Sequence, residues 1–497
     1  MSGIKDDSNR QVLPRWYPFA VACGMGDISC ATGADIVHNN DRIDRKIEDW
    51  HAKQTVVCAT DVVGTALVLG DRENSEARSA ADFVLAASGS TALTRRIAKA
   101  FLDTDDAVGP SEVRLDADQR HSQVIIAELK QAVRQYPFNA LAWADLAFQY
   151  AVLGQSAKAE SCMNTAVSLG RMNRFVVRSA ARCFLHLGEP EKSLYYLRRA
   201  AASRNDPWLI SAEIAVSEGI GRKPKFAATA SDMMHDGSFS PWALNELAAT
   251  LSTLEGKHGN SRKCKRLLSL ALREPNENTM AQAEWLSSHM GLEVNPPTRA
   301  VAADFEAQAR SHFKDGDYLT AFASAEEWYS FQPFTSRPAV LASYIAGVCL
   351  DDHPAAIRVL ERARQGSPHD FMLLNNLAFS YASLDRLEEA NARLSGICDH
   401  DLKERDRYIL KATCGLVKFR GGSVVEGREY YEQAISGFRR IGDKRALAAA
   451  AVFLAREEVR LRSSVAGEAA NTALRLAERS EARELLAYIS RLCSGTP

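Results

Sequence analysis

Residues 139–170 read NALAWADLAFQYAVLGQSAKAESCMNTAVSLG. Apolar residues recur at helical spacing on both sides of Gly154, so the stretch predicts two short amphipathic helices joined by a glycine turn. Ala147 and Ala159 are small where the two helices would lie closest, and Trp143, Tyr150 and Met163 are large beside that contact. The same order returns about 34 residues later. Val177, Ala180, Ala181, Phe184, Gly188, Leu197 and Ala200 fall in register, with Ser193 at the usual alanine position.

This order resembles the tetratricopeptide repeat, whose units are helix–turn–helix pairs. A second group in register runs from near Ala302 through Ala309, Gly316, Ala321, Ala325 and Pro333, then Ala356, Leu360, Ala363 and Pro368. A further copy carries Leu374, Leu377, Ala378, Tyr381, Ala390 and Leu394, with Asp385 at the turn where glycine is usual. The resemblance implies an all-α fold: an α-solenoid of tetratricopeptide-like helix-turn-helix repeats with an atypical helical N-terminal cap.

Working outward, residues 1–50 show no clear period and are expected to be an irregular, loop-like segment. Residues 51–115 carry helical stretches around 56–69 and 80–102 and are expected to cap the first repeat. The first array is placed at 116–294, clear over 140–207 and degenerate over 208–294, where Leu247, Ala248, Cys264, Leu268, Ala271 and Pro275 keep part of the pattern. Lys223-Pro224 and Asn295-Pro296-Pro297 break helices, the second marking a boundary. The second array is placed at 298–404. Residues 405–497, with Gly427, Tyr431 and Ala434, read as atypical C-terminal repeats and a cap.

Composition excludes several classes. The 497 residues are 46% apolar and 25% charged, with a formal net charge of -1, so no chain-wide field favours nucleic acid or an anionic membrane. Ala446–Ala455 is too short to span a bilayer and reads as a buried helix. The N-terminus has no secretory-signal pattern, and ten cysteines show no Cys-x-x-Cys pair, which together point to a cytoplasmic protein with small buried thiols.

Chemical motifs give no anchor for catalysis, metal or cofactor. Gly24-Met25-Gly26 lacks the dinucleotide fingerprint, and no P-loop, Gly-x-Ser-x-Gly or His-Glu-x-x-His sequence occurs. The run Cys398-Asp399-His400-Asp401 reads as an inter-repeat loop, because adjacent residues on a helix diverge. His369-Asp370 reads as an inter-repeat corner with Asp370 as a helix cap.

Binding residues are therefore sought on the first helix of each repeat, which lines the groove in the resembling family. Arg178 and Arg182 lie one turn apart in a region that also carries Arg171, Arg174, Lys192, Arg198, Arg199 and Arg204. Groove positions of this kind clamp a partner's carboxylate in related chaperone adaptors, so a protein or peptide partner is expected, an acidic one on this reading. A second reading stays open, in which these arginines form a solvated face or pair with acids of neighbouring repeats. Asn375 and Asn376 are expected to face the groove of the second array, and Phe148 and Phe379 to receive apolar anchors of a partner. The basic cluster Arg262, Lys263, Lys265 and Arg266 has no interleaved aromatics, so nucleic acid is disfavoured. The sequence thus predicts a non-enzymatic scaffold or adaptor. The alternatives are a ligand- or peptide-sensing regulator and an RNA-associated scaffold.

Overall fold

The computed structural model describes residues 10–24, 40–102, 119–171, 173–200, 204–292, 301, 303–398 and 402–494. Gly24-Met25-Gly26 beyond its first residue, Ala302, the Asn295-Pro296-Pro297 break and Asp399–Asp401 lie outside them. Two compact units divide the chain, one formed by Ser8–Ala307 with Ser330–Gln332 and the other by Gln308–Tyr329 with Pro333–Pro497. Among the described residues all regular structure is helical.

The first unit opens with an extended stretch, residues 10–18, and a short helix α1 (Phe19–Gly24). The segment 1–50, expected to be irregular, thus includes a helix. A longer helix, α2 (Asn40–Lys53), begins inside it and joins α3 (Val56–Leu69), α4 (Ser75–Ala86) and α5 (Ala92–Leu102). After α6 (Gln119–Gln135), paired helices follow in order: α7 (Ala140–Val152) with α8 (Ser156–Leu169), α9 (Arg174–His186) with α10 (Pro190–Arg199), and α11 (Pro207–Gly219) with α12 (Ala227–Asp236). Next come α13 (Pro241–Lys257) with α14 (Ser261–Ala271), then α15 (Glu277–Met290). The stretch whose consensus is degenerate thus keeps regular pairs.

Helix α16 (Phe305–Asp315) and α17 (Tyr318–Phe331) lead into the second unit. There α18 (Arg337–Tyr344) runs through a π-helical turn at Ile345–Cys349 and pairs with α19 (His353–Gly366). Three more pairs follow: α20 (Phe371–Ser383) with α21 (Leu387–Leu394), α22 (Glu404–Arg420) with α23 (Val424–Ile441), and α24 (Lys444–Arg460) with α25 (Ala466–Arg479). Helix α26 (Arg483–Ser494) is the last described element.

Two local devices repeat along the chain. The first helix of a pair, and α15 likewise, starts on a polar side chain that accepts a backbone N–H: Asn139 from Ala142 at 2.9 Å, Asn173 from Val176, Asp206 from Trp208, Asn276 from Thr279 and Asp370 from Met372. Such caps are worth about 1 kcal/mol each. The turn inside each pair then passes through a left-handed residue: Gly154, Gly188, Gly221, Gly259, Gly316, Asp351, Asp385, Gly422 and Arg462, with φ from 52° to 86°. Glycine takes that conformation without a Cβ clash, and where Asp385 replaces it the carboxylate is held by Arg420 at 2.9 Å and Arg460 at 2.7 Å. Between the helices of a pair, Ala147, Ala159, Ala180, Ala181, Ala378 and Ala390 are wholly buried. Small residues at those points let backbones approach, and Met163, Phe184 and Tyr431 fill the flanks. The apolar run Ala446–Ala455 lies buried within α24, and among the described residues no helix is long and apolar enough to cross a membrane.

Candidate functional site

In the first unit, the first helices of successive pairs are buried nearly all round. Residues 207–217 of α11 are buried without a break, and in α7 only Trp143 and Asp145 escape full burial. A helix covered by its partner on one side remains amphipathic unless something covers the other side too. Here the second cover is the chain's own N-terminal segment, residues 10–22, of which every residue but Leu13 and Arg15 is fully buried.

The segment crosses the row of first helices in the direction opposite to their order. Phe19 meets Phe175 of α9 edge-on at 5.1 Å, and its N–H donates to Asp145 of α7 at 2.8 Å. Trp16 lies edge-on to Phe148 at 5.3 Å. Leu13 packs on the cluster of Val177, Ala181, Leu209 and Ala212, and Val12 on Ala248 and Ala249 of α13. Arg10 reaches α15 and α16, where its Nε and Nη2 both donate to Glu306, at 3.2 and 3.1 Å, and Nη1 bonds Gln282. Arg15 donates to the same Glu306 at 2.6 Å and lies 3.7 Å from Glu277. Tyr17 donates to Glu277 at 3.1 Å and stacks edge-on to Phe331.

Backbone recognition accompanies these side-chain contacts. The Asn278 amide donates to the Leu13 carbonyl at 3.0 Å and to Glu246 at 3.1 Å. Glu246 in turn accepts two bonds from Arg178, at 2.8 and 2.9 Å, and one from Asn276. Burial alone would raise the Glu246 pKa, but the Arg178 charge and these hydrogen bonds outweigh it and hold the carboxyl below its ordinary range. At Glu277 burial prevails over the Arg15 charge and the carboxyl is pushed up.

The residues singled out in the sequence are therefore placed as follows. Phe148 lies under Trp16, covered by this chain. Arg178 does not present its charge to solvent: it is 5% exposed, paired with Glu246, and stacked over Trp208 at 4.5 Å beside Arg174 at 4.1 Å. The expected positive field is largely met within the unit, Arg174 pairing with Asp206, Arg198 with Glu213 and Lys192 with Glu160. Of the two readings of that region, pairing with acids of neighbouring repeats describes these residues. Arg182 is partly buried. In α14, Arg262, Lys263, Lys265 and Arg266 are exposed, with Lys263 paired to Glu255.

Asn375, Asn376 and Phe379 come together in the interior of the second unit. Asn376 donates to Ser343 at 3.4 Å, and Phe379 meets Phe453 edge-on at 4.9 Å with Arg456 over its ring. They are buried because α24 and α26 close this face: Tyr344 donates to Glu484 of α26 at 3.0 Å, and Phe453 packs on Tyr488. His353, beside Phe379, is pushed down to about 4 by burial and by the Arg456 charge, so its ring is neutral at pH 7.

What sequence reading missed is the packing of residues 10–19 against the first helices. Its available signal was composition, since Val12, Leu13, Trp16, Tyr17 and Phe19–Ala22 are unusually apolar for a loop. Among the described residues no group of three or more His, Cys, Asp or Glu side chains could hold a metal ion.

No protein-family model and no curated protein matches the chain. Among solved structures, yeast Tom70 is similar over 76% of this chain and 96% of its own, at 10% identity and a TM-score of 0.30. The Naa15/Naa10 complex bound to HypK-THB aligns over 96% of this chain and 73% of that one, at 14% identity and a TM-score of 0.23. Likenesses this distant decide nothing about binding. The described helices themselves define the fold class, an all-α series of tetratricopeptide-like helix pairs.

Proposed function

We propose that the chain is a non-enzymatic scaffold or adaptor that binds a partner protein or peptide along the row of first helices. The observation that supports this reading is the extended segment lying across α7, α9, α13 and α15, held through its backbone by Asn278 and through its side chains by Glu277 and Glu306. A row that already receives one extended chain has the groove, amides and aromatic walls that peptide recognition requires.

The test is affinity capture from native lysate followed by cross-linking and mass spectrometry of whatever is retained. Cross-links from a stoichiometric partner to α7, α9, α11, α13 or α15 are expected. Cross-links confined to the outer helices α8, α10, α12 and α14, or retention of no protein, would contradict the reading.

A further inference from the structure

We propose that residues 10–19 are an intramolecular stand-in for the groove's partner, and that this partner is an extended basic and aromatic peptide which takes the segment's place. The proposal rests on the groove reading above and adds the chemistry of the ligand and its control.

Three observations carry it. The segment is held as a peptide ligand is held. It belongs to no helix pair, Pro14 and Pro18 keep its backbone out of helix, and Asn278 grips the Leu13 carbonyl at 3.0 Å. The helices beneath it also pair among themselves.

The charges specify the occupant. Glu277 and Glu306 are both buried, and both face Arg15, while Arg10 makes a two-pronged contact with Glu306. Removing the segment takes both guanidinium groups away from Glu306 and that of Arg15 away from Glu277, contacts that only a cation restores. The occupant must therefore bring cations at this end. An acidic ligand, expected from the arginines of α9, meets the wrong sign here, and Arg178 is already matched by Glu246.

The third observation is the aromatic register. Trp16 and Tyr17 follow directly after Arg15 and meet Phe148 and Phe331 edge-on. The groove thus reads two arginines five positions apart, then an aromatic pair. A tethered segment competes at an effective concentration on the order of millimolar, so a free peptide of the same chemistry is held off until it is abundant or the segment is weakened.

The experiment titrates a fluorescein-labelled peptide, RQVLPRWYPFAV, into the full chain and into the full chain carrying Arg10→Glu and Arg15→Glu, read by fluorescence anisotropy. The variant sets acids against Glu277 and Glu306 and so expels its own segment. It is expected to bind the peptide about 100-fold more tightly than the wild type, and a peptide with both arginines replaced by glutamate is expected not to bind. Equal affinity for both chains would overturn the displaceable segment while leaving a peptide-receiving groove. Binding to neither would overturn the inference and the groove reading together. Should the variant lose its cooperative melt, hydrogen exchange on the wild-type chain decides. Excess unlabelled peptide is expected to speed exchange in residues 10–19 and not in α7 or α13, and unchanged exchange at saturating peptide would overturn the inference.

Discussion

Arg178 links the docking of the N-terminal segment to stability. Its guanidinium lies between Trp208 and Glu246, and Glu246 fixes Asn278, the amide that holds the segment's backbone. Replacing Arg178 by Met leaves Glu246 buried without its counter-charge, and loss of one partner of such a pair costs about 3–5 kcal/mol. Urea unfolding of Arg178→Met is expected to show a loss of that size, and Arg178→Met with Glu246→Leu is expected to recover at least half of it. A loss below about 1 kcal/mol in the single variant would show that the pair is not desolvated as described. Arg178 was legible as a residue on the first helix of a repeat, because the period fixes which helix it belongs to. Its partner was not, since Glu246 stands in the degenerate stretch and no spacing rule connects two residues on helices α9 and α13.

The N-terminal segment is the element whose role the sequence concealed. Repeat helices announce themselves by period, but an irregular segment buried almost throughout has no polar face and so no alternation to read. Where the segment turns into α1, the Phe19 N–H, an unpaired donor of the first turn, is accepted by Asp145. Burial raises that carboxyl from its ordinary value of 3.8 to about 7, against the smaller opposing effect of the Phe19 hydrogen bond. A raised carboxyl pKa means that the folded state holds the proton more tightly than the unfolded one. Its contribution to stability is thus complete below about pH 4 and is lost as pH rises through about 7. Melting of the wild type is expected to fall relative to Asp145→Asn across that window, because Asn keeps the acceptor and has no charge to develop. Parallel melting curves for the two proteins from pH 4 to 8 would contradict this account of α1. Gly64 of α3 supports the same docking, since a Cβ there would fall 3.0 Å from the Phe19 ring and 2.8 Å from Leu141.

At the scale of the molecule, the fold was legible and the site largely was not. The small residues and the turn positions repeat with the period of the helix pairs, so Gly154, Gly188, Gly316 and Asp385 could be placed before any coordinates. Phe148, Asn376 and Phe379, expected to face a groove, are buried: Trp16 lies against Phe148 in one unit, and Phe453 of α24 against Phe379 in the other. Period predicts which side of a helix faces a groove, and says nothing of what fills it.

The most direct test of the central claim locks the N-terminal segment in place. Val12 packs on Ala248, and cysteines at these two positions would tie the segment to α13. With that disulfide formed, capture of the partner is expected to be abolished, and reduction is expected to restore it to the wild-type level. Equal capture in the oxidised and reduced states would contradict the claim that the partner and residues 10–19 share one groove.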